Sequence, residues 1–149
     1  MAQNLNYGTQ VNGTAVADDQ DNDALVEKYC YNDDPAMCEK YGGLYQWAEA
    51  MALPFSCNST TCASSLTTNH QGLCPTGWHV MVSADIGAMT IDLGPGQEAR
   101  DLKATVGWTY SSTGAALNGT GFTALPGGRR NYSTGGVCYQ PKCGFLVCS

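Results

Sequence analysis

The residues with the most direct chemistry in this 149-residue chain are its eight cysteines: Cys30, Cys38, Cys57, Cys62, Cys74, Cys138, Cys143 and Cys148. An even count at this density fits disulfide pairing outside the cell, because a reducing cytosol would leave eight thiols open to oxidation or metals. Zinc is the rival, but it calls for Cys pairs supported by neighbouring histidines. Here His70 and His79 flank Cys74 without a partner pair. Close spacing suggests the local loops Cys30–Cys38 and Cys57–Cys62. Cys74 could then reach Cys148 and leave Cys138–Cys143, although eight cysteines permit many other pairings. Each closed loop would contribute about 2–4 kcal/mol by restricting the unfolded chain.

Asp19-x-Asp21-x-Asp23 has the 1, 3, 5 spacing of calcium loops. Ala24 stands where an EF-hand needs Gly and Cys30 where it needs the bidentate Glu, which excludes that motif. A looser calcium site using Asp18, Asp33 or Asp34 stays open beside the plainer reading, a solvated acidic loop. No other cofactor is indicated. Asn12, Asn58, Asn118 and Asn131 each head an Asn-x-Ser/Thr acceptor in a stretch that reads as loop, where a glycan would fit. Among the aromatics, Trp47 and Trp78 read as core residues. Trp108 and Tyr110, in a Gly/Ser-rich region, are the expected stacking platform for a sugar ring. His79 reads as a hydrogen-bonded structural histidine, and Arg129-Arg130 as an exposed turn pair that neutralises nearby carboxylates. These residues do not assemble into a nucleophile, base and oxyanion site, so no catalytic residue is assigned and no enzyme is expected.

The elements that would position these groups are short. Apolar residues make up 43% of the chain and charged residues only 13%, with 18 Gly and 8 Tyr. This composition favours tight turns and short strands over long helices. A net charge of -6, with seven basic residues, opposes nucleic-acid binding. No apolar run approaches the length of a membrane span. Residues 1–15 read as a short strand and turn, and 16–40 as a long ordered loop. Residues 41–53 read as a helix with the stripe Leu44, Trp47, Ala48 and Met51, stopped by Pro54. Residues 55–73 read as a loop and 74–82 as a turn leading into a buried strand. A second helix is expected from Ser83 as its cap, with Ile86, Met89 and Leu93 inward. Short strands are expected at Thr105–Tyr110 and Gly121–Leu125. The start, Met1 through Asn6, has neither a basic opening nor an apolar stretch. An oxidised chain of this kind is expected to belong to a longer precursor whose export signal lies upstream.

Five segments, taken in order, resemble the Fibrobacter succinogenes major paralogous domain, a family of bacterial surface proteins. They are Met1-Ala-Gln-Asn-Leu-Asn-Tyr7, the block from Cys30 through Glu39-Lys-Tyr-Gly-Gly-Leu-Tyr-Gln-Trp47 to Met51, Cys74-Pro-Thr-Gly-Trp-His-Val80, Leu102-Lys-Ala-Thr-Val-Gly-Trp108, and Gly121-Phe-Thr-Ala-Leu-Pro-Gly-Gly-Arg129. The resemblance implies one compact α+β domain over residues 1–149, similar to the C-type lectin-like fold, with two helices packed on a small irregular antiparallel sheet. It also implies extracellular or cell-surface display. The family pattern has further strands before Met1 and after Arg130, so the chain reads as abbreviated at both ends. Open strand edges would invite a second chain. The expectation is therefore a non-enzymatic structural subunit of a surface filament or fibril, self-assembling with identical copies. The alternative is an adhesion module that binds surface glycans.

Overall fold

The computed structural model of the protein describes residues 4–13, 19–108 and 114–130. It is α+β, and among the described residues it contains four helices and one two-stranded sheet. The strands are β1 (Thr9–Gln10) and β2 (Glu27–Lys28); the helices are α1 (Pro35–Tyr41), α2 (Trp47–Ala50), α3 (Ser83–Thr90) and α4 (Glu98–Asp101). The expected two helices are thus four, and the expected antiparallel pairing is parallel: Thr9 faces Glu27 and Gln10 faces Lys28. Residues 11–26 supply the long return that a parallel pairing requires. Antiparallel geometry appears one residue further on, where Tyr29 and Leu44 exchange both backbone bonds at 2.9 Å. Residues 26–29 are therefore gripped on one side by β1 and on the other by Leu44.

Residues 16–40 hold more than a loop. Asp34 caps α1 by accepting the Ala36 N–H at 2.9 Å, and Pro35 fits the first turn, where no N–H is needed. Gly42 ends α1 at φ 86°, donating to the Cys38 carbonyl at 2.8 Å. A helix through 41–53 cannot form, because Gly43 donates to Leu5 and the backbone of Leu44 is committed to Tyr29. Only Trp47–Ala50 remains helical.

The buried apolar set is small-grained: Tyr29, Cys30, Cys38, Tyr41, Leu44, Ala48, Ala50, Cys57, Cys74, Ala104, Ala116 and Ala124 among the described residues. Alanine buries little surface, so cystines carry a large share of the cohesion. Cys30 is bonded to Cys38 and Cys57 to Cys62. Cys74 is disulfide-bonded as well, to a cysteine outside the described residues, where Cys138, Cys143 and Cys148 and their expected pairings lie.

Two tryptophan expectations are corrected. Trp47 is 46% exposed and Trp78 54% exposed, so neither is core. Trp108 is half-buried: its indole N–H donates to the Ala124 carbonyl at 2.8 Å, and the Lys103 ammonium lies 5.2 Å from its ring. A helical stripe had argued for burial of the first and a core strand for the second, but alanines and cystines fill much of the interior. The segment 74–82 is not a buried strand either. After Cys74 it runs exposed to half-buried, held where Val80 N–H donates to His70. Ser83 is the first residue of α3 and Val82 its cap, with the Asp85 carboxylate accepting the Val82 N–H at 2.7 Å. Ile86, expected inward, is 44% exposed.

Gly42 and Gly87 make a contrasting pair. A Cβ at Gly42 would sit 2.4 Å from Asn4 Cβ, and its φ of 86° disfavours side chains; at Gly87, inside α3, a Cβ meets nothing within 4 Å. Gly42→Ala should cost about 2 kcal/mol or more, and Gly87→Ala should add up to about 1 kcal/mol of stability. Equilibrium denaturant unfolding of both variants checks the opposite signs.

Candidate functional site

One cleft of about 800 Å³ opens beside the Tyr29–Leu44 bridge. Three stretches line it: Gly43–Trp47 with Ala50; Phe55, Asn58 and Ser59; and Gly128–Arg130, with Asp19 and Tyr29 completing the wall. Each stretch is anchored by chemistry already in the fold.

The first is held by two glutamines that act reciprocally. Gln46 N–H donates to Gln20 Oε1 at 2.7 Å, and Gln20 N–H donates back to Gln46 Oε1 at 3.1 Å. Gln20 is only 1% exposed, and its amide also donates to the Leu44 carbonyl at 3.0 Å, so its burial leaves neither side-chain atom unsatisfied. Gln46 Nε2 reaches Asp19 Oδ1 at 2.6 Å. The second stretch sits on the Cys57–Cys62 bridge. It is joined to α2 by Asn58 Oδ1, which accepts the Ala48 N–H at 2.9 Å. Phe55 N–H is fixed by Asp23 Oδ1 at 2.9 Å.

The third stretch is anchored by Arg130. Its guanidinium lies 4.5 Å from the Tyr29 ring centroid, donates to Gly13 O at 3.2 Å and pairs with Asp19 at 3.4 Å. The side chain is only 7% exposed, which suits the weakly hydrated, stacking guanidinium better than it would an ammonium. Arg129, its neighbour in the chain, is exposed, and among the described residues its guanidinium makes no ion pair, hydrogen bond or ring contact. The expected neutralising pair is thus split: one arginine is spent on structure and the other faces the cleft alone.

Burial pushes the Tyr29 hydroxyl up to about 12, with Arg130 pulling the other way and Asp19 pushing further. Burial also raises Tyr45 to about 12; its hydroxyl donates to Tyr7 O at 2.7 Å and accepts the Tyr7 N–H at 2.8 Å. Behind α2, burial raises Glu49 above the ordinary carboxylate range; the Glu27 N–H, donated at 2.8 Å, opposes this, and the charges of Glu27 and Asp23 add to it.

The three aspartates proposed for calcium do not converge. Asp19 is committed to Gln46 and Arg130, Asp23 to the Phe55 amide, and the Asp21 carbonyl accepts the Asp23 N–H. Among the described residues no three His, Cys, Asp or Glu side chains form a group that could hold a metal ion. Of the glycan acceptors, Asn58 lies in the cleft lining, Asn12 is exposed after β1, and Asn118 is tied to Thr123 by bonds of 2.8 and 3.0 Å. Asn131 and Tyr110 lie outside the described residues. His79 bonds Asp85 at 3.1 Å. Sequence reasoning missed Trp47, Gln46, Asn58 and Arg129 as cleft residues. The available signal was the Gly42-Gly43 break, which stops a helix from burying the tryptophan behind it.

The sequence profile of the Fibrobacter succinogenes major domain matches residues 1–140. The chain belongs to that family. No curated protein and no solved structure matches it. The disulfides are consistent with an extracellular setting. Among the described residues no helix is long and apolar enough to cross a membrane.

Glu49 generates a pH prediction. A carboxyl whose folded pKa is raised contributes its full stability below its unfolded pKa and loses it as pH rises through the folded value. Glu49→Gln keeps a carbonyl to accept the Glu27 N–H and removes the ionisation. Thermal melts should show the variant more stable than the parent near neutral pH, with the gap closing as pH falls towards about 4. A variant less stable at neutral pH would mean that the buried charge is favourable.

Proposed function

We propose that this member of the Fibrobacter succinogenes major domain family is a non-enzymatic, surface-displayed module of lectin-like architecture that binds carbohydrate in the cleft. The observation that carries the reading is Trp47, a large apolar ring on the cleft lining that is 46% exposed, one of three exposed aromatics among the described residues with Tyr7 and Trp78, neither of which lines the cleft. Sugar rings offer apolar faces edged by hydroxyls. A site for them needs an aromatic platform with planar polar groups at its margin. Gln46, Asn58, Ser59 and the Asp19–Arg130 pair supply those groups. Tyrosine hydroxyls held near 12 stay protonated, which suits hydrogen bonding rather than proton transfer. The stacking role expected of Trp108 passes to Trp47 in this proposal.

A second reading, a self-assembling subunit of a surface filament, draws on a different region. Trp78, Val82, Ile86 and Ile91 are exposed by 54, 41, 44 and 79% on and beside α3, and apolar exposure of this kind is typical of surfaces that meet a partner. Val82→Asp with Ile86→Asp should then dissolve any ordered assembly seen by electron microscopy. Monomers at every concentration would end that reading.

The binding reading is tested on a polysaccharide panel with the full chain. Trp47→Ala should cost about 2 kcal/mol of binding, roughly thirtyfold, while Trp78→Ala, outside the cleft, leaves retention unchanged. Equal retention by Trp47→Ala with an unaltered circular dichroism spectrum would remove the cleft from the account.

A further inference from the structure

The charges of the cleft can be counted side chain by side chain. Its described lining contains Asp19, Arg129 and Arg130. Asp19 and Arg130 neutralise one another at 3.4 Å, and Arg130 is further occupied by Gly13 O and the face of Tyr29. What remains is Arg129, exposed on the lining with its guanidinium unengaged among the described residues. A free guanidinium presents a planar fork that matches a carboxylate with two parallel bonds.

The background charge sharpens this observation. The chain carries a net -6, so its overall field repels polyanions and offers them no steering. An uncompensated cation on such a surface acts by contact alone, within about a Debye length of 8–10 Å. Trp47, Gln46 and Asn58 lie on the same lining. A ligand using both features needs a ring face and a carboxylate on one repeating unit.

Resting on the carbohydrate-binding reading, we propose that the cleft selects carboxylate-bearing sugar polymers, of the uronic-acid class, and that Arg129 is the residue that meets the carboxylate. Arg130 is a positioning residue that holds the segment in place.

The test uses the full chain with polygalacturonate and its fully methyl-esterified form, which keeps the rings and removes the charge. Titration calorimetry should give about tenfold tighter binding of the acid form, since hydrogen bonds to a charged group have that worth. Arg129→Gln should bring the two polymers within about twofold by weakening the acid form alone. The preference should also shrink at about 0.5 M salt. If the parent binds both forms equally, or Arg129→Gln keeps the preference, the acidic selectivity is wrong while carbohydrate binding stands. If neither these polymers nor any neutral polysaccharide is bound, both readings fall together. Poly-glutamate bound as tightly as polygalacturonate would overturn the proposal in favour of an acidic peptide.

Discussion

Tyr29 and Leu44 exchange two backbone hydrogen bonds, and the cleft depends on that exchange. It takes Leu44 out of any helix, so the chain enters α2 only at Trp47 and delivers that indole to the surface. It places the Tyr29 ring where the Arg130 guanidinium can lie over it, which brings in a segment a hundred residues away in sequence. It also leaves the Leu44 carbonyl able to accept Gln20, so the glutamine pair closes over the same point. Cys38 Sγ lies 3.5 Å from the Tyr29 carbonyl, and the bridge from Cys38 to Cys30 ties α1 to the residue after Tyr29. A single antiparallel contact would be marginal alone. Here ring stacking, a cystine and a buried amide network all converge on it.

The interior explains why such convergence is needed. It contains alanines and half-cystines where larger aliphatic side chains would ordinarily supply burial energy. Small side chains let segments approach closely, and the approach is completed by polar groups: Gln20, Glu27 and Glu49 are all buried. Burial of an amide with both ends bonded costs little, whereas burial of a carboxylate costs more, as the raised Glu49 shows. The order in this structure comes from many short, specific bonds, so wall positions are set locally and each stretch of the cleft has its own anchor.

Composition made the loop-rich character legible; the ordered motifs made the family legible, which the profile match extends over residues 1–140, and the resemblance implied the α+β class. The cleft was not legible, for identifiable reasons. A helical period was read through Leu44, Trp47, Ala48 and Met51, but Leu44 pairs with Tyr29 from across the chain, which periodicity does not register. Asp34-Pro35 signalled the start of α1, yet the acidic residues and two cysteines around it made residues 16–40 read as a long ordered loop. Trp47 was assigned to the core by its place on the expected helical stripe and Trp78 by its place in the expected buried strand, and neither element forms as expected. The two adjacent arginines look alike in sequence. Their division into a buried, stacked residue and a free one depends on the approach of Asp19 and Tyr29, which only the folded chain brings about.

The way the cleft is held also governs how it responds to solution conditions. Neutral glutamines and an asparagine supply much of the wall, beside the carboxylates of Asp19 and Asp23. The Tyr29 and Tyr45 hydroxyls are pushed to about 12 and keep their protons through the physiological range. Arg130 is permanently charged, and Asp19 is held between it and Gln46. The raised carboxyl is Glu49, a buried residue of α2 that is not itself on the lining, although its charge helps to raise the Tyr45 hydroxyl. The one carboxyl among the described residues that burial raises therefore sits inside α2, where its ionisation acts on the stability of the fold.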